Sequence, residues 1–164
     1  MRLFVAVFPP EEARSDLQRR LTGGPRIGRL TPVDRWHITL HFLGEVADER
    51  QAELENALDA VPVQVERPRL RLAGGGSFGK GRSTAVWAGV QGDLDALHDA
   101  VTDALGADRT PLTPHLTVAY ARGNAIREAL DGYLGPEWTA DEFVLVRSHY
   151  GQGGGYDNLR AWPV

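Results

Sequence analysis

The chain has 164 residues, 42% of them hydrophobic and 24% charged, which is the size and balance of one soluble globular domain with a real core. It contains no cysteine, which excludes disulfides, thiolate metal sites and a cysteine nucleophile. A net charge of -4 argues against coating long nucleic acid through a basic face, but leaves room for a small anion held by a few local donors. The opening "RLFVAVF" (2–8) is rich in β-branched and aromatic residues and predicts a buried strand. It is too short for a signal-peptide core or a bilayer span, so the expectation is a cytoplasmic protein without a membrane partner. Pro9 and Pro10 end the strand, and "PEEARSDLQRRL" follows as a helix with Glu11 and Glu12 at its positive end and Leu17 and Leu21 on one face. Residues 22–34 form a Gly- and Pro-containing loop, and "RWHITLHFLG" is the second strand. Residues 48–61 are an amphipathic helix with Asp48 at its cap and Leu54, Leu58 and Val61 on one stripe.

The segment 63–74 alternates polar and apolar residues as a half-exposed strand, "GGGSFGKGRS" is a mobile turn, and 84–90 is the returning strand. A helix follows over 92–106, with Asp93 near its start and Gly106 past its end. "ADRTPLTP" leads into the strand "HLTVAYA", then a short helix over 124–135, a strand within 138–150 and a final strand over 156–164. The glycine-rich "GQGGGY" joins the last two as a hairpin loop. The unit strand, helix, motif strand, helix occurs twice, nearly half a chain apart. That arrangement predicts one domain, 1–164, with two similar, interleaved lobes that each contribute a motif strand to a shared cleft.

Each unit carries His, apolar, Thr, apolar: His37-Ile38-Thr39-Leu40 and His115-Leu116-Thr117-Val118. On a strand, residues two apart share a face, so each motif presents an imidazole and a hydroxyl side by side, roughly 6 to 7 Å apart along the backbone. The apolar partners anchor the strand in the core. Two such strands facing one groove surround a point with two imidazoles and two hydroxyls. A phosphodiester fits there: the hydroxyls donate to its oxygens, one histidine serves as base and the other as acid. No metal or other cofactor is needed for that division of labour. A lone His-x-Thr is ordinary strand sequence; the repetition in equivalent settings is what carries the reading.

A metal site built on His37 and His41 fails on a strand, where four residues span roughly 13 Å. His41 is therefore read as a rim or surface residue, and His98 and His149 as solvated side chains without partners. "GGGSFGKGRS" lacks the Gly-Lys-Ser/Thr offset of a phosphate loop and precedes a strand, so Lys80 and Arg82 at most approach a polyanion over the groove. Phe42 and Phe78 are candidates for stacking on a base at the rim, with core packing as the plainer role for each.

"RWHITLHFLGEV" and "PHLTVA", together with the opening "RLFVAVFPPEEARSDL", the central "AVWAGV" and the ending "LVRSHYGQGGGYDNLRAWPV", resemble the two-histidine phosphoesterases. The branch they resemble is the RNA 2',3'-cyclic phosphodiesterases, formerly called 2'-5' RNA ligases. The resemblance implies an α+β fold of two lobes related by a pseudo-twofold axis, each an antiparallel-rich sheet with helices on its outer face, with a central groove between them. It implies metal-independent hydrolysis of an RNA 2',3'-cyclic phosphate to a 2'-phosphate, with His37 as the acid on the leaving oxygen and His115 activating water. Thr39 and Thr117 match the hydroxyls that hold the phosphate. It also implies RNA ends or small cyclic-phosphate nucleotides as substrate, a weak reverse ligation to a 5'-hydroxyl, and action as a monomer. Many members carry an arginine five residues past the second histidine; Tyr120 stands there, and Arg122 is the nearest replacement on the same strand parity. The alternatives are a non-catalytic module binding RNA ends or nucleotides, and a phosphodiesterase for 2'-5' oligonucleotides or ADP-ribose cyclic phosphate.

Overall fold

A computed structural model describes residues 1–23, 29–61, 65–79, 84–121, 123–149 and 154–164. Among the described residues, eight strands form two four-stranded sheets in which every pairing is antiparallel. The first sheet has the order β2 (Ile38–Glu45), β1 (Arg2–Val7), β7 (Glu142–Ser148), β8 (Tyr156–Pro163). The second has the order β5 (His115–Tyr120), β4 (Ala85–Gln91), β3 (Arg69–Phe78), β6 (Leu134–Thr139). The motif strands β2 and β5 are thus equivalent edge strands, and they approach each other where the sheets meet.

The α-helices among the described residues are α1 (Glu11–Thr22), α2 (Gln51–Leu58), α3 (Asp95–Ala104) and α4 (Ala125–Ala129). Helix α1 links β1 to β2 of the first sheet yet packs on β6 and β3 of the second. Conversely, α3 links β4 to β5 of the second sheet and packs on β2 of the first. One apolar cluster therefore contains Leu3, Val5, Leu17 and Leu40 together with Leu70, Val86, Leu97 and Leu116. The apolar motif residues Ile38, Leu40, Leu116 and Val118 are buried as the alternation predicts. Asp93 accepts from the Asp95 amide at 2.9 Å and closes the start of α3.

Three stretches differ from the sequence expectation. The expected strand over 63–74 begins at Arg69 and runs through the glycines to Phe78. Those glycines are where bulk cannot fit: a Cβ on Gly76 would lie 2.5 Å from the Trp87 ring, and one on Gly75 2.6 Å from Leu130. The expected helix over 124–135 stops at Ala129, Gly132 turns with φ +72, and Leu134–Thr139 pairs with β3 as a strand. Pro136 is tolerated because β6 lies at the sheet edge. Asp48 does not cap α2, which has no side-chain cap; its carboxylate lies 3.6 Å from the Met1 amine. No helix among the described residues is long and apolar enough to cross a membrane.

Candidate active site

His37 immediately precedes β2 and His115 opens β5, and the two are built alike. His37 Nδ1 lies 2.7 Å from the Arg35 carbonyl, and His115 Nδ1 lies 2.8 Å from the Thr113 carbonyl. A carbonyl only accepts, so in both rings Nδ1 carries the hydrogen and Nε2 is the atom that gains or loses a proton. Each ring also rests on aromatic groups. Phe4 stacks on His37 at 4.7 Å, with Tyr156 edge-on at 5.3 Å. Phe78 meets His115 edge-on at 5.1 Å, with Trp87 at 5.7 Å. Burial in this setting pulls the His37 imidazole below the ordinary histidine value. The Arg35 carbonyl opposes that shift, and the charge of His115 adds to it.

The motif strands share a further device. In β2, Ala6 pairs with Thr39 and Val5 with His41, so Leu40 is a bulge residue. In β5, Trp87 pairs with Thr117 and Val86 with Ala119, so Val118 is one too. The extra residue shifts the alternation just after each threonine. Phe42 and Tyr120, each five residues past its histidine, therefore face the groove with the threonines. Simple strand parity does not foresee this.

A groove of about 390 Å³ is lined by His37, Thr39 and Thr117, with Thr31, Phe42 and Tyr120 among its other walls. Thr31 ties the approach to β2 onto β5: its amide and hydroxyl donate to the Val118 carbonyl at 2.8 and 3.0 Å. The Trp36 indole donates to the same hydroxyl at 2.9 Å. The groove thus brings His37, Thr39 and Thr117 together, with the His115 ring on the neighbouring Phe78–Trp87 wall. Arg122 lies outside the described residues, as do Lys80 and Arg82; Tyr120 occupies the position considered for an arginine.

Arg2, Arg35 and Tyr156 also line the groove and were missed from sequence. Arg35 is two residues before His37, which is a usable local signal; Arg2 and Tyr156 arrive from β1 and β8 through sheet pairing alone. The Arg35 guanidinium donates to the Gly154 carbonyl and lies 6.0 Å from the Tyr156 ring.

Four readings need correction. Phe42 and Phe78 are not core residues; they are 53% and 46% exposed, one on the groove and the other against His115. His98 is not solvated but 5% exposed, because α3 turns it inward against β2, where it lies near His41. Burial, with the charge of His98, lowers the His41 value. His149 has a partner, the Asp157 carboxylate at 2.6 Å across the β7–β8 pair.

Two antiparallel sheets whose edge strands carry the paired His-x-Thr segments and meet beside one groove are the architecture of a two-histidine phosphoesterase, and the comparisons with known proteins agree. Residues 5–152 match the model of the 2'-5' RNA ligase superfamily. A Thermus thermophilus protein named RNA 2',3'-cyclic phosphodiesterase is 35% identical over 90% of this chain and 82% of its own. A crystal structure of a protein from the same species superposes with a TM-score of 0.77 at 29% identity, covering 99% of this chain and 97% of that one. The Escherichia coli LigT protein in complex with 3'-AMP gives 0.70 at 26% identity, covering 99% and 97%. The chain belongs to the 2'-5' RNA ligase superfamily and is an enzyme of its phosphodiesterase class.

Proposed function

We propose that the protein hydrolyses RNA 2',3'-cyclic phosphate ends to 2'-phosphomonoesters without a metal. The observation that carries this reading is the matched pair of Nδ1–carbonyl bonds, which leaves both Nε2 atoms for proton transfer. His115 Nε2 takes a proton from water as the water oxygen bonds to phosphorus. The P–O3' bond breaks, and His37 Nε2 gives its proton to the departing 3'-oxygen, leaving the phosphate on O2'. Thr39 and Thr117 donate to the non-bridging oxygens, where negative charge builds. Depression of the His37 value by burial suits an acid, because the imidazolium gives up its proton readily; the bound phosphate's negative charge helps keep the ring protonated until that step.

Replacing water by a 5'-hydroxyl gives 2'-5' joining with the same groups, which supports a weak ligase direction. Both motif strands come from one chain, and one apolar cluster runs through both sheets, which supports a single domain acting as a monomer. We place that activity in the cytoplasm. The name of the Thermus relative and the 3'-AMP held by the Escherichia coli protein support an RNA end or small nucleotide as substrate.

The test is hydrolysis, in EDTA, of a short RNA ending in a 2',3'-cyclic phosphate, with wild type beside His37→Ala and His115→Ala. The expected result is a 2'-phosphate product that vanishes in both variants. Binding without turnover in all three proteins would leave only a nucleotide-binding groove. Turnover that requires added metal would overturn the two-histidine mechanism.

A further inference from the structure

A second pocket, of about 650 Å³, adjoins the groove and shares Arg35 and Tyr156 with it as a common wall. Its other walls include Arg14, Phe8, Asp34 and Asp157. Arg14 projects from α1, and its Nε is buried without a hydrogen-bond partner. Arg14 forms no ion pair with a described residue. A buried guanidinium donor left unmatched is costly, and an anion or an ordered water in the pocket would match it.

The lining sets two guanidinium groups, Arg14 and Arg35, beside two carboxylates, the exposed Asp34 and Asp157, and the Asp157 carboxylate is bonded to His149 at 2.6 Å. The unmatched Arg14 donor, rather than net charge, is what favours an anion here. The carbonyl bonded to Arg35 is neutral and does not cancel its charge. Phe8 supplies an apolar surface between the pocket and His37, whose ring centroid is 5.9 Å from its own.

We infer that Arg14 and Arg35 hold a second phosphate, the one on the 5'-oxygen of the nucleotide whose cyclic phosphate sits in the groove. This rests on the proposed function and makes its substrate an oligonucleotide end, or a 5'-phosphorylated nucleotide, in preference to a bare nucleoside cyclic phosphate. Guanidinium groups suit this task because they donate in a plane to two phosphate oxygens at once.

The test compares kcat/KM for three probes: a nucleoside 2',3'-cyclic phosphate, the same compound carrying a 5'-phosphate, and a dinucleotide ending in the cyclic phosphate. Wild type is expected to favour both 5'-substituted probes. Arg14→Met should lower their kcat/KM by roughly tenfold, the loss of one charge-assisted contact, and leave the bare nucleoside probe unchanged. Arg14→Lys should restore part of the preference. A dinucleotide favoured while the 5'-phosphorylated mononucleotide is not would assign the gain to the upstream nucleoside and overturn the phosphate site. Equal use of all three probes by wild type, or an equal fall for all three in Arg14→Met, would also overturn it.

In parallel, equilibrium binding of a nucleoside 3',5'-bisphosphate is compared with that of the 3'-monophosphate. Tighter binding of the bisphosphate in wild type but not in Arg14→Met is expected. Absence of turnover with every probe would sink the hydrolase reading, while the binding ratio would still decide the second phosphate site.

Discussion

Gly89 sits on β4 directly opposite His115 in the pairing with β5, and on its other side β3 bulges toward it. A Cβ at this position would lie 2.5 Å from the Ala73 carbonyl oxygen, far inside ordinary carbon–oxygen contact. The obstacle is backbone rather than a side-chain tip, so relief requires β3 and β4 to separate by close to an ångström. Overpacking of this kind costs about 1–3 kcal/mol. In a chain of this length, Gly89→Ala should therefore lower Tm by about 2–12 °C, at about 2–4 °C per kcal/mol. On the proposed mechanism the displacement also reaches the chemistry, because Gly89 and His115 are cross-strand partners. An ångström of misplacement at a catalytic group costs up to about 10²-fold, and a fall in kcat of at least tenfold is the expectation. Thermal denaturation and hydrolysis of a cyclic-phosphate RNA, assayed well below the variant's Tm, measure both effects. A Tm within about 1 °C of wild type and a kcat within about twofold would refute the steric reasoning.

Two predictions concern pH. The kcat/KM profile should be bell-shaped, and the alkaline limb of kcat should lie at higher pH than that of kcat/KM, because bound phosphate counteracts the burial that lowers His37 in the free enzyme. Coincident alkaline limbs would argue that His37 is not the acid. The same burial links His37 to stability. With the folded value depressed, the unfolded chain binds the proton more readily, so wild type loses stability as pH falls below about 6.5, toward the folded value. The Tm difference between His37→Leu and wild type should be constant above that pH and move in the variant's favour below it. Parallel curves across the range would sink the assignment.

The repeated His-x-Thr segments are legible without coordinates because strand geometry is local: positions two apart share a face, and the intervening Ile38, Leu40, Leu116 and Val118 are apolar enough to be anchors. The same locality makes α1 and α3 readable from their leucine spacing and flanking residues. What sequence could not supply is whatever depends on the second sheet. "GGGSF" reads as a turn by composition, yet it is strand because the Trp87 ring and Leu130 occupy the space that side chains would need. "LGPEWT" carries a proline that argues against a strand until its place at a sheet edge is known.

The bulges at Leu40 and Val118 reverse the facing of Phe42 and Tyr120, and a bulge is set by pairing register rather than by the residues themselves. His98 is polar and sits mid-helix, which suggests solvent; only the packing of α3 across onto β2 buries it. Arg2, Arg14 and Tyr156 come to the neighbourhood of His37 from three elements distant in sequence. Chemistry resident on one strand is thus written in local order, whereas the walls of the groove exist only after two sheets exchange their helices and meet at their motif edges.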